Sequence, residues 1–215
     1  MSLTQYYELF LASTQTLYMV ALSTFFAVLI GLPLGTLLFS SAHIKPHLKL
    51  HRLLSGIINF SRSIPFIILL VALIPVTRFL VGTSIGINAA IVPLTLGAAP
   101  FFARLVDNIY QNLPKGLIET GWSMGATNWQ MIRHILFPEA ISALIQAITV
   151  TAITLVNYSA MAGTVGGGGL GDLAIRFGYQ RFDATIMLAT IIVLVIIVQA
   201  LQMVGDKLAK AFSHT

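Results

Sequence analysis

The sequence predicts an all-α integral membrane protein: five transmembrane helices and one structured polar loop between them. Three observations predict it. The 215 residues are 57% hydrophobic and only 9% charged, where soluble domains carry roughly 25% charged residues. The apolar residues gather in five runs, each near the roughly 20 residues that a bilayer core requires. The one long polar stretch, Glu119–Pro138, carries helix-cap signals rather than the composition of a linker. With no longer soluble stretch, residues 1–215 read as a single membrane domain.

Taken in order, the N-terminal segment has no Lys or Arg before Lys45. The apolar run after it is too long for the core of a signal peptide, so a cleavable leader is not expected. The first span covers about Leu17–Ser40, where Gly31, Pro33 and Gly35 are expected to loosen the second half. The second covers about Leu53–Val76, with Arg62 and Pro65 in its first half. The third, about Ile85–Ala103, holds Pro93, Pro100 and the small residues Ala89, Ala90, Gly97, Ala98 and Ala99, which allow close backbone approach. The fourth and fifth are about Ala140–Ala160 and Thr185–Val204. So many Pro and Gly imply bent helices whose freed backbone groups are satisfied by neighbours.

Placement of the basic residues sets the topology. With the N-terminus outside, Lys45, Lys49, Arg52, Arg104, Lys115, Arg133, Lys207 and Lys210 are cytosolic and Arg62 lies at the inner end of its span. Arg78, Arg176 and Arg181 remain outside. This split follows the positive-inside rule and puts the Glu119 loop in the cytosol. The net charge of +5 is therefore a topology signal rather than a nucleic-acid footprint. His43, His47 and His51 recur every four residues, but Pro46 would break a helix carrying them. They read as a solvated basic loop, and no metal site is expected. The absence of cysteine rules out disulfides and thiolate metal sites.

The loop reads as two short helices meeting at a bend. Pro114 lies near the start of the first and Gly125 just past its end. Thr127 and Gln130 have capping-box spacing at the start of the second, and Pro138 is expected to close it. Both tryptophans of the chain, Trp122 and Trp129, fall here. Two readings stand: a shaped surface that docks a partner, or a loop folded onto its own bundle with tryptophans at the headgroups.

Inside the expected spans Arg62 is the only charge, functional by default unless it snorkels to the headgroups. The lack of a carboxylate there argues against proton coupling and leaves sodium open. From Asn157 to Asp172 the chain is glycine-rich. Gly166, Gly168 and Gly171 match GxGxxG, but no strand–turn–helix context surrounds them. A tight re-entrant turn at the outer mouth is expected. Tyr158, Ser159 and Met161 then form an outer gate, or simply pack at a helix end. No G-x-x-x-x-G-K-[ST] phosphate loop occurs, so no enzyme is expected here, and any ATP hydrolysis belongs to another chain.

Glu119, Gly125 six residues on, Ile135 and Pro138 resemble the EAA loop of ABC importer permeases. In that family the loop forms coupling helices seated in a cleft of a separate ATP-hydrolysing subunit. The resemblance assigns Glu119, Thr120, Gly121, Gly125, Ala126, Thr127 and Trp129 to that contact. It departs at Thr120 and Gly121, where two alanines are usual, and at Phe137, where leucine is usual. Gly121 should cost the first helix about 1 kcal/mol relative to alanine. Arg62-Ser63-Ile64-Pro65 is similar to a signature of amino-acid importer permeases, which implies that Arg62 and Pro65 lie on the pathway. Ser61–Asn108 and Tyr158–Tyr179 resemble methionine ABC importer permeases, except that Asn157 replaces an expected glycine.

That resemblance implies the type I ABC importer permease fold and ATP-driven import of D- and L-methionine by alternating access. It further implies a homodimer of this chain, two ATP-binding subunits holding ATP-Mg, no cofactor on this chain and an external substrate-binding lipoprotein. The site would be the bacterial inner membrane, N-terminus external and C-terminus cytosolic. Methionine is a zwitterion with an apolar tail, so its path needs polar, uncharged surfaces. Thr149, Thr151, Thr154 and Asn157 could supply them; Thr151, Thr154 and Tyr158 share one helix face. Two alternatives stay open: a permease for another amino acid or small organic solute, and an ion-coupled secondary transporter.

Overall fold

The computed structural model describes residues 3–212, and every regular element among them is helical. Helix α1 (Leu3–His43) has 41 residues, about 60 Å at the usual rise. It is twice as long as a hydrocarbon core is thick, so the span expected at residues 17–40 is only part of it. Gly31 and Gly35 do not loosen α1. They are buried, and a Cβ on Gly31 would lie 2.7 Å from the Ala99 carbonyl oxygen. A Cβ on Gly35 would meet the Ala103 carbonyl and lie 2.7 Å from Val106 Cβ. The two glycines, four apart on one face, let the backbones of α1 and α5 (Ile87–Gln111) close together.

The expected second span is not one helix. Helices α2 (Leu48–Ser63) and α3 (Phe66–Ala72) meet at a bend of 101°. The cause is local: Pro65 brings no N–H to the ladder, and Ile64 before it is extended, φ −84° and ψ 123°. Pro75 then opens α4 (Ile74–Val81) in its first turn. At the other end of the bundle, α5 runs two turns past the expected limit of Ala103. The added turns carry a polar network. Fully buried Asp107 accepts from Arg104 Nη1 and from Gln111 Nε2, both at 2.9 Å. Arg104 also donates to Ser55 Oγ at 3.2 Å and Asn59 Oδ1 at 2.7 Å, tying α2 to α5.

After α5 come α6 (Lys115–Ser123), the single turn α7 (Asn128–Gln130) and α8 (Phe137–Gly163). Pro138 does not stop the helix. A π-helical turn, Met131–Leu136, joins α7 to α8, so the chain stays helical from Asn128 to Gly163. The wider turn ends at Leu136, with only Phe137 between it and Pro138, which cannot donate to the regular ladder, and this is how the proline is absorbed without a break. Short α9 (Gly169–Leu173) and a second π turn, Ala174–Tyr179, lead to α10 (Ala184–Ala211), whose first amides are capped by Asp183 Oδ1 at 3.0 and 3.2 Å.

Four helices are long and apolar enough to cross a membrane, and the bent α2–α3 pair is apolar enough to be a fifth if its two arms count as one span. The core has two main parts. One is built on Met19, Leu94, Leu155, Leu170 and Ile186; the other, at the end of α6 and α7, on Phe39, Phe102, Tyr110, Met131 and Leu136. Most of α10 is exposed along its apolar surface, the face a bilayer would cover. Of the histidines, His43 stacks on Phe39 at 4.6 Å, while His51 lies 3.3 Å from the Leu38 carbonyl oxygen.

Candidate functional site

Two places carry the residues of interest. The first is the α6–α7 elbow. Gly125 has φ +74°, a conformation that costs any residue with a Cβ about 1–2 kcal/mol. Its N–H donates to the Trp122 carbonyl and the Ala126 N–H to the Gly121 carbonyl, both at 3.0 Å. This pair of bonds is a Schellman motif, which satisfies the last carbonyls of α6. On the other side of the bend the capping box forms as its spacing predicts. Gln130 N–H donates to Thr127 Oγ1 at 3.3 Å, and Thr127 N–H to Gln130 Oε1 at 2.9 Å. Both arms of the elbow are thus fixed by bonds between neighbours in sequence. Thr127→Ala removes one of them, about 1 kcal/mol. The expected readout is roughly fivefold faster amide exchange at Gln130, with the bundle unchanged; equal exchange would show that the cap holds nothing.

Buried Met131 and Leu136 of the π turn plug the elbow into the bundle beside Phe102, Tyr110 and Ile118. Gly121 is buried under Met131: a Cβ there would lie 2.5 Å from Met131 Cε and 2.8 Å from Ile135 Cδ1. The glycine that weakens α6 makes room for the side chain that anchors it. That role of Met131 was not legible, because the helix it packs on lies ten residues back. What remains outside is unusual. Trp122, Met124 and Trp129 are 43%, 79% and 64% exposed, beside exposed Glu119 and Thr120. Three large apolar side chains are thus held open on a rigid elbow.

The second place is a cleft of about 130 Å³ at the α2–α3 bend, lined by Ser61, Arg62, Ile64, Phe66, Leu69, Gly97, Phe101 and Tyr158. It brings together Arg62 and Tyr158, nearly a hundred residues apart. Arg62, expected at the inner end of its span, lies in the last turn of α2, about 20 Å along the axis from Leu48. Tyr158 stacks on Phe66, ring centroids 4.3 Å apart and planes 3° from parallel. Pro65 is the corner itself, its carbonyl accepting from Ile68 and Leu69 at 2.9 and 3.0 Å.

Other pathway candidates are not brought there. Thr151 is fully buried and donates to the Ala147 carbonyl at 2.7 Å; Ser159 is buried and donates to Val156 at 2.7 Å. Half-buried Thr154 bonds Val150 at 2.8 Å, and buried Thr149 bonds Ile145 at 2.9 Å. Hydroxyls that close on their own helix backbone in this way have committed their only donor. Asn157 is exposed and lines a different groove, with Gln199 of α10. Met161 is exposed near the end of α8. The glycine-rich stretch beyond it is a packed turn rather than a flexible loop. Positive φ at Gly166, Gly168 and Gly169 reverses the chain, and a Cβ on Gly171 would meet the Ala160 backbone. Leu170 and Leu173 are buried in the core.

The family described as the binding-protein-dependent transport system inner membrane component matches residues 27–214. The chain belongs to that family. As such an inner-membrane component it is the permease part of its transporter. A probable D-methionine transport system permease protein, MetI, of Vibrio cholerae is 50% identical over 205 residues, 94% of this chain and 91% of the relative. The D-methionine transport system permease protein MetI of Escherichia coli is 56% identical over 151 residues, 69% of this chain and 70% of the relative. A solved structure of inward-facing conformations of the MetNI methionine ABC transporter matches with a TM-score of 0.98 and 49% identity, over 100% of both chains. An amino acid ABC transporter with histidines matches at TM-score 0.79 and 21% identity, over 97% and 96% of the two chains, a likeness of fold alone. The fold is that of an ABC transporter permease subunit.

Proposed function

We propose that this permease imports methionine, in D- and L-forms, driven by a separate ATPase that docks on the α6–α7 elbow. The observation that carries this is mechanical. The exposed face of Trp122, Met124 and Trp129 sits on a capped elbow, and its second arm is one helix with α8, Asn128 to Gly163. Displacement of the elbow therefore moves α8, and with it the Tyr158 side of the cleft. Two copies of the chain with two ATP-binding subunits complete the transporter, and ATP-Mg is held by the partners. An external binding protein delivers substrate. The elbow lies in the cytosol, with the N-terminus outside, in keeping with eight of the twelve Lys and Arg falling on the elbow's side and Arg62 lying in the cleft. The methionine assignment is supported by the D-methionine permeases that share about half the residues.

Co-expression with its ATPase and reconstitution in proteoliposomes test this. Methionine uptake should require both ATP inside and the binding protein outside. Uptake by the purified chain alone on an ion gradient would instead make it a secondary transporter; uptake of another amino acid but not methionine would move the substrate. Met161, exposed at the end of α8, is proposed as part of the outer constriction with Tyr158, with Ser159 buried behind them. Met161→Ala should raise ATP hydrolysis severalfold without binding protein; unchanged hydrolysis and transport would remove Met161 from the gate.

A further inference from the structure

We infer that the cleft at the α2–α3 bend recognises the α-carboxylate of the transported amino acid through Arg62. The inference rests on the importer reading and deepens it by naming the substrate group and the residue that reads it. Arg62 makes no hydrogen bond or ion pair among the described residues. It lies about 20 Å along α2 from the level of Lys49, too far for a guanidinium to reach. A charge within the spans of a membrane protein pairs with another or faces a polar cavity, and exposed Arg62 lines a cleft of about 130 Å³.

Among the described residues no carboxylate is placed to neutralise it. Asp107 holds Arg104, Asp172 holds Arg176, Asp183 caps α10, and Asp206 accepts from Gln202. Glu119 and Glu139 sit at the elbow and at the first turn of α8, and Glu8 near the start of α1. The counter-charge must therefore come from outside the chain, and in a translocation cleft it is mobile. A planar guanidinium takes a carboxylate in two parallel hydrogen bonds.

The remaining walls define the rest of the ligand. Phe66, Leu69 and Phe101 are apolar, and the Phe66–Tyr158 stack presents a flat aromatic face. A thioether is attracted to such a ring. One fixed cation beside an aromatic wall fits an amino acid with an apolar or thioether side chain, and gives a polar handle where the helix hydroxyls of Thr151 and Ser159 give none.

The test is equilibrium dialysis of the permease–ATPase complex in lipid nanodiscs, without nucleotide or binding protein. The probes are L-methionine and its decarboxylated amine, which keeps the tail and the ammonium. Methionine should bind the wild type at least about tenfold more tightly than the amine, the loss of one charge-assisted pair. Arg62→Gln should lose methionine by a similar factor and leave the amine unchanged. Arg62→Lys, which keeps the charge, should fall between, and Arg78→Gln on exposed α4 should match the wild type. Size-exclusion yield of each complex reports folding. Equal methionine binding by wild type and Arg62→Gln overturns the inference, as does an amine that binds the wild type as tightly as methionine, or no methionine binding to the wild type. Arg62-dependent binding in a complex that imports no methionine would sink the importer reading and leave the cleft assignment standing.

Discussion

Gly125→Glu is expected to leave the permease inserted in the membrane and to abolish its association with the ATPase. The position is left-handed, φ +74°, yet a Cβ there meets nothing within 4 Å. Folding therefore carries only the local strain, about 1–2 kcal/mol, spread over an elbow that Met131 and Leu136 still anchor. The docking face suffers far more. A carboxylate would stand among Trp122, Met124 and Trp129, where seating the elbow in a partner's cleft would have to strip its water. Burying an unpaired charge costs several kcal/mol, enough to take a stable complex below detection. Affinity co-purification of tagged permease reads the result, with membrane abundance as the control. Gly125→Ala carries the same strain without the charge and should retain most of the complex. Normal complex yield from Gly125→Glu would show that the elbow does not dock.

Gly35→Leu is expected to destabilise the folded protein severely. Here the added atoms meet backbone: the Ala103 carbonyl and Val106 Cβ of α5 already occupy the space of a Cβ. Overpacking at side chains costs about 1–3 kcal/mol. Against a main chain that cannot turn aside, the loss should lie at the upper end or beyond, because α1 and α5 must part along the face that Gly31 also lines. Gly56→Leu is the matched control, since a Cβ at Gly56 meets nothing within 4 Å. Membrane abundance and thermal unfolding of the purified complex should fall sharply for Gly35→Leu and stay at wild type for Gly56→Leu. Equal stability of the two variants would contradict the packing of α1 on α5.

What was legible in the sequence depends on the range of the interaction. The Thr127–Gln130 box and the Gly125 turn are decided within six residues, and both form as their spacing predicts. The elbow could be located for the same reason. Pro138 shows where local reasoning stops: a proline reads as an end, but a π turn beside it lets α7 run on into α8. Gly31 and Gly35 were misjudged because a glycine seen alone only weakens a helix. Their four-residue spacing in an apolar run was the signal, and the partner backbone on α5 gives it meaning. Thr151, Thr154 and Tyr158 do share a face. Spacing could not tell that Thr151 faces the core and satisfies its own backbone. The Arg62–Phe66–Tyr158 cleft needed the fold, because it joins a corner made by Pro65 to a ring far along the chain.

The most direct measurement is the accessibility of the elbow. The chain contains no cysteine, so Trp129→Cys creates a single thiol on the most distant arm of the elbow. Right-side-out membrane vesicles are treated with a membrane-impermeant maleimide, with and without the co-expressed ATPase. The expected result is no labelling until the vesicles are opened, then rapid labelling that the bound ATPase suppresses. Labelling of sealed vesicles, or labelling that the ATPase leaves untouched, would contradict a cytosolic elbow that takes up force from its partner.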